Sequence, residues 1–281
     1  FEAEEEDDLR RMGFSKEGKH RNPQILLGLL VSAGGYPLAY EIFQGNTYEG
    51  YTMLPVLEHY KHQYQIPHLV IIADAGLLSH KNIAELIENQ YEFIIGARLK
   101  NETDQIKNQI LSYSLFNGDS TIIEKQDGLR LIVNYSEKRS KKDLDNRKRG
   151  LKKLESALLK GKLGKKHINN RGYNKYLKLE GNIQVSIDYV KFEFDSKWDG
   201  LKGYITNTQL DPTSIIEHYR ELWNIEKAFR ISKTDLRIRP IYHRLEHRIE
   251  AHICISFTAY KIYKELERRL KDLESELSVE K

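Results

Sequence analysis

The stretch that most constrains this sequence of 281 residues is Tyr219-Arg-Glu-Leu-Trp-Asn-Ile-Glu226-Lys-Ala-Phe-Arg-Ile-Ser-Lys233. Tyr219, Glu226 and Lys233 are spaced seven residues apart, which is almost two turns of an α-helix. If the stretch is one helix, these side chains share a stripe with Leu222 and Phe229. A carboxylate on such a mostly apolar face needs a partner, a metal ion or a catalytic role. From the spacing alone, a core helix whose Glu pairs with a nearby Lys or Arg explains the pattern equally well.

A second acidic residue, Asp74, directly follows the apolar run of residues 69–73. The run predicts a buried strand, and α/β proteins place functional polar groups at the C-terminal ends of such strands. Gly76 permits a tight turn beside the carboxylate. Since Asp is also common in turns and at helix caps after strands, a turn or cap role is favoured over a catalytic one when Asp74 is considered alone.

Composition limits the class of protein. Forty per cent of the residues are apolar, which is enough for a core, but no apolar run is long enough to predict a membrane span. No signal-peptide pattern is visible. The single cysteine, Cys254, excludes an intrachain disulfide and fits a reducing cytoplasm.

The charge is unevenly distributed along the chain. Residues 138–166 contain 13 Lys or Arg against 3 Asp or Glu, a local charge of +10, whereas the whole chain carries +4. The remaining residues therefore sum to −6. This asymmetry favours a polyanionic partner, with DNA or RNA first; a solvated charged helix is the alternative.

Apolar periodicity predicts an α/β order in the first third of the chain. Residues 24–32 and 36–43 read as a hairpin around Gly34-Gly35. A helix over 53–64, a strand over 68–73, a helix over 79–90 capped by Ser79 and a strand over 91–97 follow. This order is typical of an α/β domain with a mixed sheet.

We predict three segments from the changes in sequence character. Residues 1–98 form the first part of a core, and residues 99–198 form a β-rich insertion with a basic helical arm. Residues 199–281 complete the core with the helix of the first stretch and a C-terminal helix over about 245–270.

The first stretch resembles the Tyr-x2-Arg-x3-Glu-x6-Lys signature of DDE transposases of the IS-four group of bacterial insertion sequences. Tyr219, Glu226 and Lys233 match it, whereas Leu222 stands at the Arg position. The text Ala-Asp74-Ala-Gly-Leu-Leu-Ser is similar to that around the family's second catalytic Asp. The resemblance covers roughly residues 13–270. Paired with Glu226 across a long insertion, Asp74 is therefore interpreted as catalytic.

The resemblance implies a ribonuclease H-like core, a mixed sheet flanked by helices, whose first strand is missing here. Asp74 and Glu226 are then catalytic and metal-binding, and they help to hold two Mg²⁺ (or Mn²⁺) ions for phosphoryl transfer on DNA. Tyr219, Arg230 and Lys233 are expected to bind DNA. So are the basic side chains of the arm: Lys138, Arg139, Lys141, Lys142, Arg147, Lys148, Arg149, Lys152 and Lys153. A homodimer on DNA, in the bacterial cytoplasm at the nucleoid, completes this interpretation.

The family's first catalytic Asp lies shortly before text that resembles residues 1–4. The chain is therefore expected to carry an incomplete triad and not to cleave DNA by itself. Asp7 and Asp8 are poor substitutes, because they lie in an acidic loop with no strand before them. Two alternatives stay open: an inactive DNA-binding protein derived from a transposase, and a ribonuclease H-like nuclease.

Overall fold

The computed structural model describes residues 7–13, 23–32, 34–66, 68–76, 79–181, 184–234, 241–243, 245–274, 277 and 279. The strands are β1 (Arg11–Met12), β2 (Pro23–Val31), β3 (Pro37–Gln44), β4 (Val70–Ala73), β5 (Glu92–Ala97), β6 (Ser120–Glu124), β7 (Arg130–Tyr135), β8 (Leu177–Glu180), β9 (Gln184–Ile187) and β10 (Leu201–Thr206). The helices are α1 (Met53–Tyr64), α2 (His80–Glu88), α3 (Asp104–Ser112), α4 (Glu137–Leu159), α5 (Tyr189–Phe194), α6 (Pro212–Arg220), α7 (Trp223–Thr234) and α8 (Glu246–Asp272).

The chain is a mixed α/β structure, as its sequence predicts. Strands β4, β5, β10, β7 and β6 form a five-stranded sheet in that order. This sheet is mixed, because β4 and β5 run parallel whereas β6 and β7 run antiparallel. Strands β1, β2 and β3 form a separate antiparallel sheet. Within the described residues, no helix is both long and apolar enough to cross a membrane.

The chain divides into two compact units. The first, which we call the divided unit, comprises Phe1–Gly96 and Thr206–Lys281. The second, which we call the inserted unit, comprises Ala97–Ile205. The assignment of the sequence segments to a catalytic core and an insertion stays a prediction.

In the divided unit, the hairpin of β2 and β3 supports the C-terminal helix. The antiparallel register opposes Leu29 and Tyr40, and Tyr40 packs against the core cluster that contains Ile249 and Ile253 of α8. The rings of Tyr40 and Phe257 lie 4.8 Å apart. Burial of each such side chain contributes about 1.5–3 kcal/mol, so this apolar contact fixes α8 on the hairpin.

The divided unit also contains β4, which ends directly before Asp74. Strand β4 lies parallel to β5, with Ile71 opposite Phe93. The predicted cap of α2 is confirmed, since the Ser79 hydroxyl accepts a hydrogen bond from the Asn82 amide at 3.0 Å. Thr206 Oγ1 donates to the Phe93 carbonyl at 2.6 Å, which holds the chain beside β5 before α6 begins.

In the inserted unit, the long helix α4 packs over the hairpin of β8 and β9. Leu154 of α4 belongs to one core cluster with Tyr176 and Phe192, and the rings of Tyr176 and Phe192 lie 5.4 Å apart. The Ser136 hydroxyl caps α4 by accepting from the Arg139 amide at 3.4 Å. One side of α4 is therefore committed to packing.

Candidate functional site

Asp74 occupies the position that the sequence predicts. It directly follows β4, which ends at Ala73, and its side chain is exposed. The Gly76 amide donates to Asp74 Oδ1 at 2.8 Å. This hydrogen bond holds the carboxylate in the turn after the strand, where a ligand can reach it from solvent.

The stretch from Tyr219 to Lys233 is two helices, so the prediction of a single helix is wrong. Helix α6 ends at Arg220 and α7 begins at Trp223. Across the break, the Leu222 amide donates to the Tyr219 carbonyl at 3.2 Å, and the Ile225 amide donates to the Leu222 carbonyl at 3.0 Å. These bonds span three residues, as in a 3₁₀ helix, and they wind the chain more tightly than an α-helix does.

The break separates the residues that one stripe was predicted to hold. Tyr219 is buried, with 9% of its surface exposed, whereas Glu226 is exposed. The predicted burial of the Glu226 carboxylate is therefore wrong, because the tight turn changes its direction relative to Tyr219. An exposed Glu226 needs no structural partner and is free to meet a ligand from solvent.

The structure brings Tyr219 to the turn that carries Asp74. A β-carbon built on Gly96 would lie 2.3 Å from Tyr219 Oη and 3.2 Å from the Ala75 amide nitrogen. Helix α6 contacts β4 as well. Tyr219 was predicted to bind DNA, but its buried ring points to a role inside the fold.

Arg230 and Lys233 are the other two residues predicted to bind DNA in residues 219–233, which we call the signature stretch. Arg230 lies on α7 one turn after Glu226, and its side chain is exposed. The helix extends to Thr234, so Lys233 is helical, but its side chain lies outside the described part of the structure. DNA contact by Arg230 and Lys233 stays a prediction.

The described residues offer carboxylates, which are the right type of ligand for a hard cation, but they do not offer enough of them in one place. Asp74 and Glu226 are exposed, and carboxylate oxygens are the ligands that Mg²⁺ prefers. The described ranges hold no group of three His, Cys, Asp or Glu residues that could bind a metal ion. Asp74 and Glu226 are therefore ligands of a suitable kind, and their binding of a common ion stays a prediction.

Asp7 is tied into a local turn. Asp7 Oδ1 accepts from the amides of Leu9 at 2.9 Å and Arg10 at 2.6 Å, and Arg10 Nε donates to Oδ2 at 2.6 Å. Burial raises the pKa of Asp7, but these hydrogen bonds outweigh it and hold the pKa below its usual value. Asp8 is exposed and pairs with Arg11 at 3.2 Å. Asp7 is thus already committed to the fold.

Helix α4 presents a basic face. At about 100° per residue, Arg147, Gly150 and Leu154 lie on one side of α4, and all three are buried. The other basic side chains predicted to bind DNA are all exposed, and they are Lys138, Arg139, Lys141, Lys142, Lys148, Arg149, Lys152 and Lys153. The 23 residues of α4 extend the helix over about 34 Å.

Arg147 departs from the other cations of α4. Its side chain is 7% exposed and forms an ion pair with Asp199. Its guanidinium also lies 5.2 Å from the centre of the Phe192 ring. Contact with a DNA phosphate would require breaking this buried pair, so the prediction that Arg147 binds DNA is not carried forward.

The model of the transposase DDE domain family matches residues 3–262. The chain belongs to this family. The predicted resemblance to DDE transposases is thereby confirmed. Transposases of this kind generally use divalent metal ions. No curated protein matches the chain.

Among solved structures, this DDE-domain chain is similar to the piggyBac transposase determined in a synaptic complex with hairpin DNA. The TM-score is 0.50 at 8% sequence identity, over 96% of this chain and 46% of that chain. The chain thus spans less than half of the length of that transposase. At this identity, the likeness concerns the fold.

Sequence reasoning missed one partly buried polar cluster in the inserted unit of this transposase-family chain. The Asp195 carboxylate accepts from Lys175 and, at 2.8 Å, from the Tyr176 hydroxyl, and it lies 3.0 Å from Lys100 Nζ. Burial raises the pKa of Asp195, but the hydrogen bonds from Lys175, Lys100 and Tyr176 outweigh it and lower the pKa to about 2. Lys100 and Asp195 are far apart in sequence, so no local pattern indicated this contact.

Proposed function

We propose that this chain belongs to a transposase that cleaves and transfers the DNA strands of a bacterial insertion sequence through a ribonuclease H-like core. In this proposal, Asp74 and Glu226 bind Mg²⁺ and are the two identified carboxylates of the active site. The observation that carries it is the position of Tyr219 Oη beside Gly96 and the Ala75 amide. This contact holds the end of α6 against the turn that follows β4. Helix α7, which carries Glu226, therefore follows a segment that lies close to the turn of Asp74.

The contribution of the two carboxylates follows from their exposure and their elements. Asp74 is held by the Gly76 amide, which limits the directions that its carboxylate can take. Glu226 is carried by α7, which is more rigid than a loop. When bound, a pair of divalent ions stabilises the attacking and leaving oxygens of phosphoryl transfer. Asp74 and Glu226 would hold these ions in place from two separate elements.

The basic face of α4 is the proposed DNA-binding surface. Six of its exposed cations lie within about 60° of the direction opposite the buried Arg147: Lys138, Lys141, Lys142, Arg149, Lys152 and Lys153. Lys141 also pairs with Glu137 at 2.8 Å, but exposed pairs contribute little and can exchange for a phosphate. Contacts of this kind bind the DNA backbone without reading its sequence. The proposal extends to two copies of the chain acting together on element ends in the bacterial cytoplasm.

A DNA-binding protein without strand-cleaving activity is the second candidate. The observation that favours it is that no third metal ligand joins Asp74 or Glu226 among the described residues. The basic face of α4 would serve this function equally well. Metal binding therefore distinguishes the two candidates better than DNA binding does.

The test is calorimetric titration of the purified chain with Mn²⁺. We expect Asp74→Asn and Glu226→Gln each to weaken binding at least about tenfold, because each removes a charged ligand. Glu217→Gln is the matched control, since Glu217 is an exposed carboxylate on α6. Equal Mn²⁺ affinities in all four proteins would contradict the proposed site and favour the second candidate.

A further inference from the structure

Two glycines lie against the signature stretch, one on each side of its break. Gly96 in β5 contacts Tyr219 in the last turn of α6, and Gly35 in the β2–β3 turn contacts Asn224 in the first turn of α7. Both glycines and both contact residues belong to the divided unit. The break is thus fixed by a strand on one side and a turn on the other, and not by its own hydrogen bonds alone.

At Gly96 the approach is too close for a side chain. A β-carbon there would lie 2.3 Å from Tyr219 Oη and 3.0 Å from Tyr219 Cζ. Ordinary contacts of a β-carbon begin at about 3.4 Å. Alanine at position 96 would therefore push Tyr219 outward by about 1 Å. The Ala75 amide at 3.2 Å leaves little room for the displacement to go the other way.

At Gly35 the backbone itself also requires glycine. Its φ of +75° lies in the left-handed region, and a β-carbon would lie 2.9 Å from Asn224 Cβ. The Gly35 carbonyl accepts from Tyr260 Oη of α8 at 3.2 Å. Asn224, which is buried, donates to Glu221 Oε2 at 2.5 Å within the break.

We propose that Gly96 and Gly35 are positioning residues that set where Glu226 stands relative to Asp74. This inference rests on the proposed function of both carboxylates as ligands of the same ions. Tyr219 is seated next to the turn of Asp74, and Asn224 lies two residues before Glu226. Packing contacts on both sides of the helix break hold α7 in one orientation, whereas a break without such contacts allows several orientations. A misplacement of about 1 Å at a reacting centre can cost about 100-fold in rate.

The experiment locates the bound metal ion and does not depend on catalytic activity. The chain is loaded with Fe²⁺ in place of Mg²⁺, and ascorbate with hydrogen peroxide then cleaves the backbone beside the bound iron. In the unsubstituted chain we expect cleavage beside both Asp74 and Glu226, suppressed by excess Mg²⁺. In Gly96→Ala we expect cleavage beside Glu226 to fall at least about tenfold. Tyr219→Phe removes the 2.3 Å contact with Oη and leaves Cζ at 3.0 Å, so it should restore most of the cleavage in the double variant.

Controls separate positioning from a general loss of structure. Gly34→Ala is the matched control, since a β-carbon at Gly34 meets no atom within 4 Å. Circular dichroism and urea unfolding establish that each variant is folded. If Gly96→Ala does not fold, Tyr219→Leu takes its place. This substitution removes the contact of the Tyr219 ring with Gly96, so it should cause the same loss of cleavage beside Glu226.

The outcomes distinguish this inference from the proposed function. Cleavage beside both carboxylates that Gly96→Ala leaves unchanged, or that Tyr219→Phe does not restore, overturns the positioning role alone. The same holds for an unchanged pattern in Tyr219→Leu. Absence of Mg²⁺-sensitive cleavage in the unsubstituted chain overturns the shared metal site and the inference with it.

Discussion

The basic face of α4 predicts a specific salt dependence of DNA binding. The perturbation is replacement of Lys138, Lys142, Arg149 and Lys153 by Gln, four exposed residues of the face. They extend over 15 positions of the helix, or about 22 Å, so the replacement removes charge along most of the face. Because all four are exposed, the fold should not change.

The magnitude follows from counting phosphate contacts. Each neutralised phosphate adds about −0.9 to the slope of log affinity against log salt concentration. Six contacts give a slope of about −5, which is a loss of about 1,000-fold in affinity between 50 and 200 mM salt. With two cations left, the slope falls to about −2 and the loss to about tenfold.

The assay is fluorescence anisotropy of a labelled duplex of about 30 base pairs, titrated with protein at several KCl concentrations. Two duplexes of unrelated sequence should give the same slopes, since the contacts are with the backbone. The control replaces four exposed lysines outside α4, namely Lys61, Lys81, Lys178 and Lys191. Equal slopes for the unsubstituted chain and the α4 variant would refute the reasoning and leave α4 as a solvated surface.

Two predictions concern the stability of the inserted unit. Arg147→Ala should lower the free energy of unfolding by about 3 kcal/mol, because it leaves Asp199 unpaired in a largely buried site; urea unfolding measures this, and a loss no larger than that of exposed Lys148→Ala would contradict it. The lowered pKa of Asp195, about 2, predicts stability that is fully present above about pH 4 and is lost as the pH falls towards 2. Urea unfolding of the unsubstituted chain and of Asp195→Asn should converge in this window, and a constant difference between them would show that the carboxylate does not contribute.

Local sequence patterns predicted much of the divided unit. The strand predicted over residues 24–32 is β2, Pro23–Val31, and the C-terminal helix predicted over about 245–270 is α8, Glu246–Asp272. The cap predicted at Ser79 accepts from the Asn82 amide at 3.0 Å. These features succeed because periodicity and capping are local properties.

The break at residues 221–222 could not be predicted in the same way. No Gly or Pro lies between Tyr219 and Lys233, so nothing local interrupts the helical pattern. Gly96 and Gly35 are distant in sequence from the break, and only the fold brings them to Tyr219 and Asn224. Local propensity is overridden by tertiary contacts of this kind.

Arg147 illustrates a different kind of error. Its charge placed it with the other cations of α4, although it lies at helical spacing from Gly150 and Leu154, which are buried. Periodicity could have indicated the packing side of α4, but composition alone could not. Asp199, its partner, is 52 residues away, so the pairing itself required the structure.

The most direct test of the central claim is a crystal structure of this chain with Mn²⁺ bound. Asp74 and Glu226 are separated by 152 positions, yet carboxylates that share ions must approach within a few ångströms of them. We predict an anomalous manganese peak at coordination distance from oxygens of both side chains. Carboxyl groups of Asp74 and Glu226 more than about 10 Å apart, with no common peak, would contradict a shared two-metal site.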